Sequence, residues 1–360
     1  MRLGVEAALV DGRLVSGDVE IADSRIAGVG LGGAGSGSGS GSGIAVPGFV
    51  DLHIHGFGGV DFATADAAGY RRAAEALLET GVTAFQPTFV TAPEDELVAS
   101  LREVPQTVLG CHLEGPFLSP ARLGMHPESA RRDPDRGLLN RLLAAGPVAH
   151  VTLAPELDGA LDLIDVLRNR GVTVACGHTD ATAEQAHAAF DRGATHVTHL
   201  FNAMRPFAHR DPGIAGAALA RDDVTVELIL DGNHVADDAA RVAWRAARGR
   251  VALVTDAVAA AGIGDGDWHM GAVEVEVRGG VVRRRDGVLA GSVLTMPEAV
   301  RTLMRLGAAF EEAIDAATRV PAHVSRRTDI GVLRPGAHAD VVVLDDNVQV
   351  TRVLVGGSER

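Results

Sequence analysis

His53 and His55 stand two residues apart in Val46-Pro-Gly-Phe-Val-Asp-Leu-His-Ile-His-Gly56, an apolar run opened by Pro-Gly and closed by glycine. Such a run reads as a short buried strand between turns. Alternation along a strand puts Asp51, His53 and His55 on one face. Two imidazoles about 7 Å apart along that face can converge on a single ion. An isolated His-X-His is as readily a pair packed in a core. The balance shifts because four later strand-like segments each end in another metal-ligand type, namely Glu114, His178, His199 and Asp256. Imidazoles and carboxylates without a thiolate suit zinc, with iron(II), manganese and cobalt as alternatives, rather than calcium or an iron–sulfur cluster. Six candidates exceed what one catalytic zinc with an open position requires. One or two divalent ions per subunit are expected, two if all six residues serve, with Glu114 placed to bridge.

Ligands this far apart in sequence need a scaffold that gathers strand ends. From residue 46 onward the pattern is strand, then helix, repeated. Strand-like runs fall at 49–55, 83–87, 108–114, 149–154, 173–178, 196–199, 224–230 and 251–256, and amphipathic stretches at 67–79, 134–145, 157–170, 181–192 and 236–248 separate most of them. Gly81, Gly171 and Gly193 each precede a strand, as left-handed glycines ending a helix do. Eight units predict a (β/α)8 TIM-like barrel, whose strand carboxyl ends surround one mouth. An open doubly wound sheet would offer a glycine-rich nucleotide turn after its first strand, and the 56–59 glycines lack that spacing. Hairpin signals fill residues 1–30 and return at 331–345 and 348–355, with none of this kind between them. The expected division is therefore a small β-sandwich module built from 1–46 and 325–360, and a barrel over 47–324. The Gly/Ser stretch at 32–43 is predicted to be a flexible loop.

Composition narrows the chemistry further. The 360 residues carry a formal charge of −14, which argues against a nucleic-acid partner, since neutralising phosphates needs a basic face. All 33 basic residues are arginine. Schiff-base catalysis, a P-loop lysine and a carboxylated-lysine metal bridge are thus closed to the chain. Cys111 and Cys176 sit in apolar runs and read as buried thiols. The amino terminus has an early acid and no long apolar core, and no stretch approaches a membrane span. A cytoplasmic location without membrane contact is expected.

Seven blocks stand out: Pro-Gly-Phe-Val-Asp-Leu-His-Ile-His-Gly at 47–56, Leu-Glu-Gly-Pro-Phe at 113–117, Gly-His-Thr at 177–179, Thr-His-Leu-Phe-Asn-Ala-Met at 198–204, Leu-Asp-Gly-Asn-His at 230–234, Val-Thr-Asp-Ala at 254–257 and Ala-Gly-Ser-Val-Leu-Thr-Met at 290–296. Carrying them, the chain resembles the amidohydrolase superfamily essentially end to end, and within it the deacetylases of amino-sugar phosphates. The resemblance implies hydrolysis of the acetamide of N-acetyl-D-glucosamine 6-phosphate. It implies that Glu114, His178 and His199 hold the metal every member keeps, and that His53 and His55 hold a second that some members lack. Asp256, at the edge of the metal site, would be the general base and then the acid. His126 would bind substrate and stabilise the oxyanion from a mobile loop. The family more often has Gly-Ala-His there, so Met125 is a departure. Asn202, Ala203, Arg210, His234 and Leu294 would contact the sugar phosphate, with Arg210 and His234 reaching across a homodimer into the neighbouring subunit's site.

Other conspicuous residues carry blander readings. His112 and Cys176 lie one layer below Glu114 and His178 and read as supporting or core residues, as does Asp51 below the histidine pair. His196 reads as structural, and His150 shows no ligand-like context. The rival functions are another amidohydrolase acting on N-acyl amino acids or cyclic amides, and a metal-free scaffold that binds partners.

Overall fold

The computed structural model describes residues 1–32 and 42–360, so the predicted flexible loop lies outside the described residues but for its ends. Eight parallel strands form one sheet in which chain order is spatial order: β1 (Phe49–Ile54), β2 (Val82–Val90), β3 (Cys111–Glu114), β4 (Val148–Leu153), β5 (Thr173–Cys176), β6 (His196–Val197), β7 (Thr225–Leu228) and β8 (Val251–Leu253). Every run read from the sequence is there. The ribbon closes just past the end of β8, where Ile54 bridges Ala257, the Asp256 amide donates to the His53 carbonyl at 2.8 Å and the His55 amide donates to the Ala257 carbonyl at 2.8 Å. The result is a (β/α)8 barrel, with helices such as Ala67–Leu78, Arg136–Ala145, Ala160–Asn169, Ala183–Arg192 and Asp237–Ala246 around it.

Strand β1 shows why so apolar a run folds this way. Val50, Leu52 and Ile54 are fully buried, and so are Asp51 and His53 on the other face. Both faces of a barrel strand are covered, one by helices and one by the interior, so alternation separates apolar from polar contacts rather than inside from outside. The helix Ala183–Arg192 illustrates the repeat. Thr182 and Gln185 form a capping box at its start, and Gly193, at φ 117°, ends it in the left-handed region. Gly81 and Gly171 share that sign, at 81° and 75°.

The two ends of the chain meet in a six-stranded sheet ordered Arg13–Ser16, Ala7–Val10, Ile44–Pro47, Val341–Leu344, Val350–Val355, Ser358–Glu359, beside the hairpin Asp18–Ala22 and Arg25–Leu31. A separate small core with Val19, Ile26, Val341 and Leu354 lies there. The expectation that hairpins occur only at the termini needs correcting. A three-stranded antiparallel sheet, Gly266–Met270, Val273–Arg278 and Val281–Arg284, follows β8. Gly271 and the pair Gly279–Gly280 sit in its turns, a signal present in the sequence. No helix among the described residues is long and apolar enough to cross a membrane.

Candidate metal centre

The carboxyl ends of β1, β3, β5, β6 and β8 bring six residues together. Two groups of three, His53 with His55 and Glu114, and Glu114 with His178 and His199, each present ligand atoms within 4.8 Å of one another. Glu114 joins them. Its Oε1 lies 2.9 Å from both His178 Nε2 and His199 Nε2, and its Oε2 lies 3.7 Å from the Nε2 atoms of His53 and His55. The histidine nitrogens of each pair are 3.2 Å apart for His53 and His55 and 3.0 Å apart for His178 and His199. Asp256 Oδ1 approaches His55 Nε2 to 3.0 Å and His53 Nε2 to 3.5 Å.

Second hydrogen bonds fix which nitrogen faces inward. His53 Nδ1 is 3.1 Å from Glu227, His55 Nδ1 is 3.1 Å from the Thr88 carbonyl and His178 Nδ1 is 3.0 Å from the Arg122 carbonyl. Each Nδ1–H donates, which leaves Nε2 a bare lone pair toward the centre. Lone pairs at such spacing, facing a carboxylate, repel unless a proton or cation lies among them. Burial disfavours a charge on His53, yet Glu114, Glu227 and Asp256 outweigh it and lift its pKa well above the ordinary value. The same field favours any cation, and the donor set fits a divalent metal. Burial likewise opposes ionisation of Glu114 and Asp256. The surrounding imidazoles, His53 foremost, outweigh it and hold both carboxyls below the usual range.

The backbone at these positions is unusual. His178, His199 and Asp256 have φ of 48°, 30° and 50°, and Ala203 has 48°. Non-glycine residues in this region cost on the order of 1–3 kcal/mol each and gather at functional sites. The three ligand-type residues therefore stand on turns just past their strands, not on the strands.

A cavity of about 230 Å3 opens above, walled by His55, Glu114, His178, His199 and Asp256 and by Asn202, Ala203, Met125, His126 and His234. His126 Nδ1 accepts the Thr91 amide at 3.1 Å, and its Nε2 lies 3.2 Å from Glu114 Oε2. Burial and the neighbouring His178 push its pKa down to about 4, so the ring is neutral at pH 7 with its proton on Nε2. His234 Nδ1 lies 2.8 Å from Asp231 Oδ2, and this partner overcomes burial to raise its pKa.

Two expectations differ from what is found. His234 walls this chain's own cavity, held there by Asp231, instead of leaving it for a neighbour's. Leu294 does not line the cavity. Its amide is tied to Ser292 Oγ at 2.9 Å, and the residue, buried in the main core, lines a separate cleft beside Asp231 and Glu298. Arg210, expected to serve a neighbour's site, is exposed on the 208–211 turn, outside the cavity of its own chain.

Sequence reasoning overlooked Glu227 and Thr91, which orient ligand-type residues, and the 266–289 segment, whose Met270, Val288 and Leu289 close the cavity from outside. Below the centre His112 bonds Thr152 at 2.7 Å and stacks on His150, with ring centroids 4.1 Å apart. Asp51 accepts the Thr255 hydroxyl at 2.6 Å.

Fold and site together define a parallel barrel whose carboxyl rim carries a set of residues fit to hold a divalent metal. The chain belongs to the amidohydrolase family, whose model matches residues 44–360. Among its relatives, N-acetylglucosamine-6-phosphate deacetylase of Mus musculus is 41% identical over 338 residues, 87% of this chain and 82% of that one. N-acetylgalactosamine-6-phosphate deacetylase of Escherichia coli O157:H7 is 38% identical over 324 residues, 86% of each chain. Among solved structures, a mutant N-acetyl-D-glucosamine-6-phosphate deacetylase of Mycobacterium smegmatis in complex with N-acetyl-D-glucosamine-6-phosphate superposes with a TM-score of 0.94 at 38% identity, covering 99% of this chain and 97% of that one.

Proposed function

We propose that this chain hydrolyses the acetamide of N-acetyl-D-glucosamine 6-phosphate to D-glucosamine 6-phosphate and acetate, a step in amino-sugar breakdown and recycling. The observation that carries the reading is the pair of ligand triads joined by Glu114 beneath a cavity walled by Asp256, His126 and His234. Zinc is the ion we assign, in one or two copies, because nitrogen and carboxylate donors at borderline softness suit it. Bound there, a divalent ion supplies an activated water near neutral pH and polarises the amide carbonyl.

This chain's own residues do the rest. Asp256, ionised and at the cavity wall, takes the proton of the attacking water and returns it to the departing nitrogen, so that one carboxylate is base and then acid. His126 donates its Nε2–H to the developing oxyanion, since the Thr91 amide occupies its other nitrogen. Asn202 and Ala203 contact the sugar, and His234, made more basic by Asp231, pairs with the phosphate. Arg210 completes the phosphate site from a second copy of the chain, and its exposure away from the cavity of its own chain supports that role. Residues 47–324 are in this reading the catalytic unit, and 1–46 with 325–360 its support.

The Escherichia coli relative favours one alternative, the galactosamine epimer. Turnover of the two N-acetylhexosamine 6-phosphates, of unphosphorylated N-acetylglucosamine and of an N-acyl amino acid, measured with quantified metal content, decides. The proposal expects the glucosamine phosphate to lead, and a preference for the N-acyl amino acid would overturn it.

A further inference from the structure

The mechanism uses Glu114 and Asp256 but leaves a third carboxylate unexplained. Glu227, on β7, is fully buried inside the barrel. Among the described residues its ion-pair partners are His53 and His196 alone, with no arginine. Three donors converge on it. Oε2 is 3.1 Å from His53 Nδ1 and 3.0 Å from the His199 amide, and Oε1 is 2.9 Å from His196 Nε2. A single oxygen thus holds one member of each triad, His53 by its ring and His199 by its backbone, where φ is 30°. Glu114 couples the triads from the cavity side, and Glu227 couples them from behind.

We propose that Glu227 is a positioning residue of a two-ion centre. It fixes His53 as the tautomer whose Nε2 lone pair faces the ions, strengthens that nitrogen as a donor by adjacent negative charge, and clamps the strained backbone of His199. Carboxylates behind metal-binding imidazoles typically change metal affinity about 10–100-fold. The contacts are unequal, so the consequence is too. Loss of the Glu227 charge acts on the ring of His53, but reaches His199 only through its amide. The ion held with His53 and His55 should weaken more than the ion held with Glu114, His178 and His199. This inference rests on the reading that the centre binds divalent ions.

The test is competitive zinc titration of the full chain against a chromophoric chelator after stripping, with ions per chain from elemental analysis. Wild type should take two ions. Glu227→Gln keeps an acceptor for His53 and His199 without the charge, and should bind the weaker ion about 10–100-fold less tightly while the tighter one changes less than about threefold. Glu227→Asp, which retains charge but withdraws it, should move the same way. Wild-type affinity for both ions in Glu227→Gln would overturn the proposal, as would uptake of a single ion by wild type at saturating zinc. Circular dichroism of the stripped forms covers misfolding. If both variants unfold where stripped wild type stays folded, Glu227 is a core residue and the proposal falls. Wild type that takes up no ion at all sinks the metal reading itself, before any variant is compared.

Discussion

Asp256 and His126 face the same cavity with opposite equipment, an ionised carboxylate beside the histidine pair and a neutral imidazole whose Nε2 proton points inward. Replacing Asp256 by Asn keeps size and one oxygen but removes the proton acceptor. Deacetylation should fall about 10²–10⁴-fold with zinc content and fold retained, and near-normal turnover would refute the assignment. His234 offers a pH test. Its pKa is raised by Asp231, so the imidazolium persists above the ordinary value and is lost as pH rises through the raised one. Above pH 7 the substrate phosphate is already dianionic, its second pKa being about 6. As pH rises above 7, KM for the phosphorylated sugar should therefore climb, and His234→Gln should flatten that climb; an equal climb in the variant would exclude His234. The six candidate ligands were legible in sequence because polar residues end apolar runs. Glu227 was not, because an acid in the middle of an apolar run shows its role only once His53 and His196 are seen around it.

At the scale of elements, periodicity and turn signals were enough for all eight strands, since barrel strands are bounded by glycine-ended helices and buried on both faces. What periodicity does not carry is the path past each strand. The runs 173–178, 196–199 and 251–256 were read as strands throughout, yet the strands stop at Cys176, Val197 and Leu253, and the ligand-type residue follows on a left-handed turn. The segment after residue 290 supports one such turn. Ser292 donates its amide to the Asp256 carbonyl at 2.8 Å, and Gly291, at φ 72°, passes so close that a Cβ there would meet that carbonyl oxygen at 2.8 Å. Gly291→Ala adds both a left-handed side chain and a clash, at about 1–3 kcal/mol for overpacking alone. Thermal unfolding should register the loss, and turnover should fall as Asp256 shifts; an unchanged melting temperature and rate would contradict this account.

For the whole molecule, the pairing of both chain ends in one sheet was readable from hairpin signals, whereas the antiparallel sheet after β8 went unread although its glycine turns were in view. Whether a second copy completes the phosphate site can be answered by mixing. Arg210→Ala and Asp256→Asn chains, each inactive alone, should regain activity when their subunits reassort. Random exchange makes half the dimers mixed, with one of two sites complete in each, so about a quarter of wild-type activity is the ceiling. No recovery, in a mixture shown to exchange subunits, would place Arg210 outside the neighbour's site. The position of Asp256 has one more consequence. It stands where the ribbon of strands fastens onto its own beginning, between residues 53–55 and 292. A chain still emerging from the ribosome already carries its histidines but lacks the acid and the seam that holds it, so protein synthesis must enter its final third before the chemistry can start.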